Sequence, residues 1–322
     1  MRFYRIDITD QNTGKPIYLQ SLKQPLSSLL PNGITNPGAL TIALDVPVYP
    51  GHVGDTKSYV RIWGVGLQDI GQAMDLNGKN IVVHAGMAKG LPLANPQQAG
   101  LLVQGGIIQA YGNWIGTEQT LDLLIGPPTG SPSAPQNFTF TWQAGTPLSV
   151  AIGNTLRSAL PGMKQQISIS ANLVLGYTET GYYESLRQFA GWVNQRTIPL
   201  LGAGSQGVQI GVRGDTVVVW DGTVAPPSIK KIAPQDLIGQ PTWSQPGEVT
   251  FQTVMRADIG LQDVISLPPT IITQTSSSWL RFQDRTSFTG NFTVQRIHHF
   301  GSYRQPEAAS WNTTFFANPQ LK

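Results

Sequence analysis

Short runs of alternating apolar and polar residues, each closed by a turn-forming pair, recur along the whole chain and restrict it to a β-rich fold. Residues 3–8, 39–46 and 59–63 alternate in this way, and 80–84, 106–111 and 119–125 follow. Between them stand Asn32-Gly33, Pro37-Gly38, Pro50-Gly51 and Asn77-Gly78. Successive strand side chains point to opposite faces, so period two between turns marks antiparallel strands with one buried face. Glycine and proline, 35 and 24 of 322 residues, supply the breaks. Residues 1–125 therefore read as an antiparallel β sandwich or barrel, with the barrel preferred.

Residues 126–135 hold four prolines and two glycines and read as an extended linker. The pattern then changes. In 136–224 a strand over 137–142 is followed by Thr146-Pro147, a cap with proline at the first helical position. Leu148, Ile152, Leu156 and Ala159 recur at helical spacing until Pro161-Gly162. A second helix over 184–195 aligns Leu186, Phe189, Ala190 and Val193, and the turn Arg213-Gly214-Asp215 closes a hairpin. This is a small α+β domain. Residues 225–322 return to strands at 248–255, 263–267, 291–297 and 311–317, a second barrel, with 271–279 read as a mobile loop or irregular strand. The fold class is mainly β (α+β): two antiparallel β-barrels flanking a small α+β domain.

The two β segments invite comparison. Gly66-Leu67-Gln68-Asp69 recurs as Gly260-Leu261-Gln262-Asp263, and 106–112 parallels 291–297. A rival alignment sets 76–83 against 261–267.

Charged residues are only 12%, about half the usual share, and the net charge is +3. A lone soluble monomer covers itself with charge, whereas interfaces are depleted in Lys, Glu and Asp. Side-to-side assembly explains the composition, and a polar secreted carbohydrate-binding protein is the other reading. Lys and Arg never run beyond the pair Lys230-Lys231, so no nucleic-acid footprint appears. Cysteine is absent, which removes disulfides and thiolate chemistry. No apolar run approaches a bilayer span, and synthesis in the cytoplasm is expected.

No group of residues answers to an active site. Glu118 and Asp122 share a strand face but stand more than about 10 Å apart by strand rise, too far for a carboxylate pair acting on one bond. His298 and His299 face opposite sides of a strand and cannot chelate one metal; His52 and His84 are isolated, and His84 is expected to be hydrogen-bonded. Gly202, Gly204 and Gly207 fit G-x-G-x-x-G, but a hairpin follows where a phosphate cradle needs a helix. Trp63, Trp142, Trp192, Trp220 and Trp311 fall inside elements and read as core, while Trp114, Trp243 and Trp279 lie near turns. The expectation is a protein that is not an enzyme, with no catalytic, cofactor-binding or metal residue.

Two stretches carry a family likeness. Residues 183–195, followed by 207–210 and 215–221, form a helix-then-hairpin module. Residues 255–268, then 290–299 ending in His298-His299, then Ser310-Trp311-Asn312-Thr313, follow in order. This resembles phage tail baseplate hub proteins: late control protein D of contractile tails, and the hub half of type VI secretion spikes. The resemblance implies a homotrimer forming a pseudo-sixfold ring in the virion baseplate. Its partners would be the tail tube protein, the central spike protein, and other baseplate and tape measure proteins, with no cofactor, no membrane and no nucleic-acid sequence recognition. A tail tube or distal tail protein is the alternative.

Overall fold

The computed structural model describes residues 1–50, 57–90, 95–126, 137–202, 205–224, 228–268, 288 and 290–320. The expected linker (apart from Gly126), the 271–279 loop, His52 and Trp279 lie outside the described residues. The first part contains β1 (Arg2–Thr9), β2 (Pro16–Ile17), β3 (Leu26–Ser27), β4 (Thr41–Val48), β5 (Ser58–Trp63), α1 (Leu67–Gly71), β6 (Asn80–Met87), β7 (Gly100–Ile115) and β8 (Glu118–Gly126). The middle part contains β9 (Phe138–Trp142), α2 (Leu148–Ala159), β10 (Lys164–Ser168), β11 (Glu179–Tyr183), α3 (Leu186–Leu201), β12 (Gln209–Arg213) and β13 (Thr216–Trp220). The last contains β14 (Ile229–Lys231), β15 (Thr242–Gln245), β16 (Glu248–Val254), β17 (Val264–Ser266), β18 (Asn291–Ser302) and β19 (Trp311–Pro319). The chain is mainly β, with large antiparallel sheets and few helices.

The first and last parts repeat one topology. Neighbouring strands run β4-β5-β8-β7-β6-β1 in the first and β15-β16-β19-β18-β17-β14 in the last. Each position is filled by strands in the same chain order, so β7 corresponds to β18 and β8 to β19. One ladder differs: β1–β6 is antiparallel and β14–β17 parallel. In the last part a bridge between Leu237 and Thr253 returns the chain from β14 toward β16. The shared Gly-Leu-Gln-Asp takes two conformations, opening α1 at Gly66 but forming a turn with left-handed Gln262 (φ 71°) at Gly260.

The two parts are joined in one 14-stranded sheet. β18 pairs with β17 through residues 291–293, then with β4 from Ile297↔Val48 to Ser302↔Ala43. A bulge between Val294 and Arg296 resets the alternation, so Ile297 and His299 point inward with Phe292 and Val294. The core of the first part accordingly takes in Met255 and Trp311 from the last.

The middle part builds its own core from Phe138, Phe140, Trp142, Ile152, Leu156, Phe189 and Val193, between a β10-β13-β12 sheet, the β9–β11 pair, α2 and α3. Ser185 caps α3, its Oγ accepting from Gln188 N (3.3 Å). The helix runs six residues past the expected end at 195, through Pro199. Thr197 holds this turn in place, accepting from Val208 N (2.7 Å) at the entry to β12. Val218 and Trp220 on β13 turn away and pack into the core of the last part.

Candidate functional site

Glu118 and Asp122 do share β8, but in different surroundings: Glu118 is exposed, and Asp122 is wholly buried. Asp122 accepts from the Tyr59 hydroxyl, Arg61 Nε (2.6 Å) and Asn113 Nδ2 (2.8 Å), and is thereby spent. Burial, then the bond to Asp122, hold the Tyr59 phenol well above its ordinary range. His298 faces outward, Nε2 2.6 Å from Asp45 Oδ1, while His299 faces inward, as the alternation requires. The expected hydrogen bond to His84 is not made: its Nδ1 is buried without a partner among the described residues, and burial lowers its pKa. Trp142, Trp220 and Trp311 are core, and Trp114 at the β7–β8 turn is exposed. Gly202 and Gly207 lie between α3 and β12, both with positive φ, where a helix ends rather than begins. Among the described residues no cluster of His, Asp or Glu could hold a metal ion.

What the fold builds instead is a rigid joint where its three parts meet. The β12–β13 turn is wedged into it. The Arg213 guanidinium lies flat on Gly260, where a Cβ would collide with it, and stands 3.8 Å from Asp263, which also pairs with Lys230 at 2.6 Å. Gly214 (φ +58°) approaches Leu101 from the first part so closely that a Cβ could not be added without moving it. A side chain at 214 would need both that left-handed backbone and a shift of the Leu101 side chain, which favours glycine there. Beneath the turn is a cavity of about 90 Å³ lined by Val46, Leu101, Val212, Ile259, Ile297 and His299. His299 is enclosed there with Nδ1 2.9 Å from Thr313 Oγ1. Burial, aided by His298 and Arg213, pushes its pKa down to about 3, so the ring is neutral.

A second lock lies beside it. Arg256 is 4% exposed and pairs with Asp236 (3.1 Å) and Asp258 (2.7 Å). Gln98 Nε2 donates to Asp236 (2.9 Å), and Ala257 N donates to Gln98 O (2.7 Å), tying the first part to the last. Trp311 Nε1 reaches Gly86 O (2.9 Å), and Arg2 donates to the carbonyls of Ser302 (2.9 Å) and Glu307 (2.8 Å). Buried charges are tolerated only with partners on every side. These residues are far apart in sequence, and the one local signal was the glycines at 214 and 260. The arrangement holds two β assemblies in fixed relation, and its charges are paired with one another, while Gln98 Oε1 is buried without a partner among the described residues.

No family model matches the chain, and no curated protein matches it in sequence. Solved structures do. The 43 kDa tail protein of prophage MuSo2 from Shewanella oneidensis superposes with a TM-score of 0.57 at 6% identity, over 99% of this chain and 97% of that one. The chain has the fold of a phage tail protein. The same tail-protein fold extends to the E. coli c3393 protein, described as a component of the type VI secretion system with structural similarity to T4 tail proteins gp27 and gp5. That match has a TM-score of 0.53 at 9% identity, over 89% of this chain and 76% of that one. A Francisella PdpA-VgrG complex matches at 0.50 and 8% identity, over all of this chain and 59% of that one. At such identities the likeness extends to the fold and not to residue roles.

Proposed function

We propose that the chain is a structural component of a phage tail tip: the baseplate hub of a contractile tail, in which three copies form a pseudo-sixfold ring joining the tail tube to the central spike. The observation that carries this reading is the repeated strand order, two barrel-like units per chain fused through β4–β18. Three such chains present six similar units to a sixfold tube and three identical joints to a threefold spike. The low charge fits surfaces buried between subunits. In this reading 1–125 and 225–322 are the tube-like domains, 126–135 the linker and 136–224 the insert. The protein acts without catalysis or cofactor, is made in the host cytoplasm and ends in the virion. The tail-protein fold supports the broad role, and the helices of the insert favour a hub over a plain tube subunit.

Image reconstruction of purified tail tips tests it. Three copies in one six-unit collar between tube and spike are expected. Six copies per ring repeated along the tail would make it a tube protein, and a glycan-bound monomer outside any tail would end the hypothesis.

A further inference from the structure

Two turns of this chain carry asparagine directly before glycine, Asn32-Gly33 and Asn77-Gly78. Such a pair is chemically labile, because glycine puts no side chain in the way when its main-chain nitrogen approaches the preceding carboxamide. Both pairs are exposed, and both glycines adopt the left-handed backbone (φ 78° and 75°). A Cβ added at either glycine would meet nothing within 4 Å. Composition and space therefore do not tell the two apart. Hydrogen bonding does.

The first pair is bonded only within its own turn. Pro31 and Asn32 occupy the centre of a turn in which Gly33 N donates to Leu30 O (2.9 Å) and Leu30 N donates to Ile34 O (2.8 Å). Asn32 Oδ1 accepts from Ile34 N (3.1 Å), which draws electron density from Cγ and makes that carbon more electrophilic. Residues 31–35 are all exposed, so this turn can rearrange without disturbing a core. The second pair is fastened to another strand. Asn77 Oδ1 accepts from Ala110 N (2.6 Å), just beyond the β7 bulge, and Gly78 N donates to Ile107 O (2.8 Å). Ile107 N in turn donates to Lys79 O (2.8 Å). Ala110 is 1% exposed, so its N–H would lose its partner if the Asn77 side chain turned away.

We infer that Asn32 is a site of spontaneous deamidation in the folded chain, and that β7 protects Asn77 from the same reaction. Gly33 N, giving its proton to base, bonds to Asn32 Cγ; the Cγ–Nδ2 bond breaks and ammonia departs, closing a five-membered succinimide. Water then opens the ring. Attack at Cγ leaves aspartate at 32 in an ordinary main chain. Attack at the main-chain carbonyl of residue 32 leaves isoaspartate, with the chain routed through Cβ and Cγ. The net exchange is water in and ammonia out. Either product carries a carboxylate that is ionised at neutral pH and lowers the net charge of +3 by one. To form the same ring, Asn77 and Gly78 must first release two hydrogen bonds to β7, which sets the expected difference in rate at about tenfold or more. The inference goes beyond the hub reading and stands without it.

The test incubates the purified wild-type chain in mildly alkaline buffer, folded and in parallel in concentrated urea, and follows both residues by peptide mapping. Electron-transfer fragmentation separates aspartate from isoaspartate. In the folded chain residue 32 should convert to a mixture of the two while residue 77 keeps its amide. In urea both should convert at similar rates. Asn32 that stays intact in the folded chain but converts in urea overturns the inference, and so does Asn77 converting in the folded chain as fast as Asn32. Gly33→Ala should slow conversion at 32 in both samples. An unaltered rate in that variant would mean direct hydrolysis of the amide instead of ring closure, and overturns the mechanism.

Discussion

Acid should loosen the joint through His299. The residue is enclosed at the meeting point of the three parts, and its pKa falls from an ordinary value near 6.5 to about 3. The unfolded chain therefore takes up a proton between these values while the folded chain does not. The stability tied to a neutral His299 is complete above about pH 6.5 and declines as pH falls, by about 1.4 kcal/mol per unit, until about pH 3. At pH 4.5 the loss is about 3 kcal/mol, a large share of a typical domain's stability. His299→Asn removes the titration but keeps an amide that can bond Thr313 Oγ1, so the variant should lose less stability than the wild type over this range. Urea unfolding of both proteins at pH 7.5, 6.0 and 4.5 measures the difference. Wild-type and variant curves that fall in parallel would refute the argument, because they would mean that water reaching the adjacent cavity solvates the imidazolium.

Arg256→Leu should cost about 3–5 kcal/mol, since it leaves Asp236 buried with only Gln98 as partner, and thermal unfolding measures it. Leu156→Asp and Phe189→Asp each place an unpaired charge in the core of the middle part; loss of its near-ultraviolet signal is expected, and unchanged melting would contradict that core. Gly105→Ala would set a Cβ against the Gly126 carbonyl oxygen across the β7–β8 ladder, and a drop of at least several degrees in melting temperature should follow. Asp122→Leu should destabilise by about 1–3 kcal/mol through the orphaned Tyr59, Arg61 and Asn113 donors, with denaturant midpoints as the readout.

Strand alternation alone determined the β class and that His298 and His299 face opposite sides, because a strand's two faces are fixed by local geometry, whereas the bulge between Val294 and Arg296 decided that His299 is the inward one. Periodicity also located both helix faces, since Leu156, Phe189 and Val193 recur at the helical period. The repeat was legible only as fragments, and its shared tetrapeptide misled. Gly66-Leu67-Gln68-Asp69 is helical because Asp69 is bonded by Gln20 N (2.6 Å) and Ser21 N (3.1 Å), whereas Asp263 bonds Gly260 N (2.7 Å) within its own turn. Tertiary structure alone decided that β18 leaves β17 for β4, that Asp122 is buried on an outward face, and that Arg256, Asp236 and Gln98 meet. Those contacts join residues as many as 259 positions apart, as Ser302 and Ala43 are. No local propensity encodes them; they follow from which strands remain to be paired and which charges remain to be neutralised once the three cores have closed.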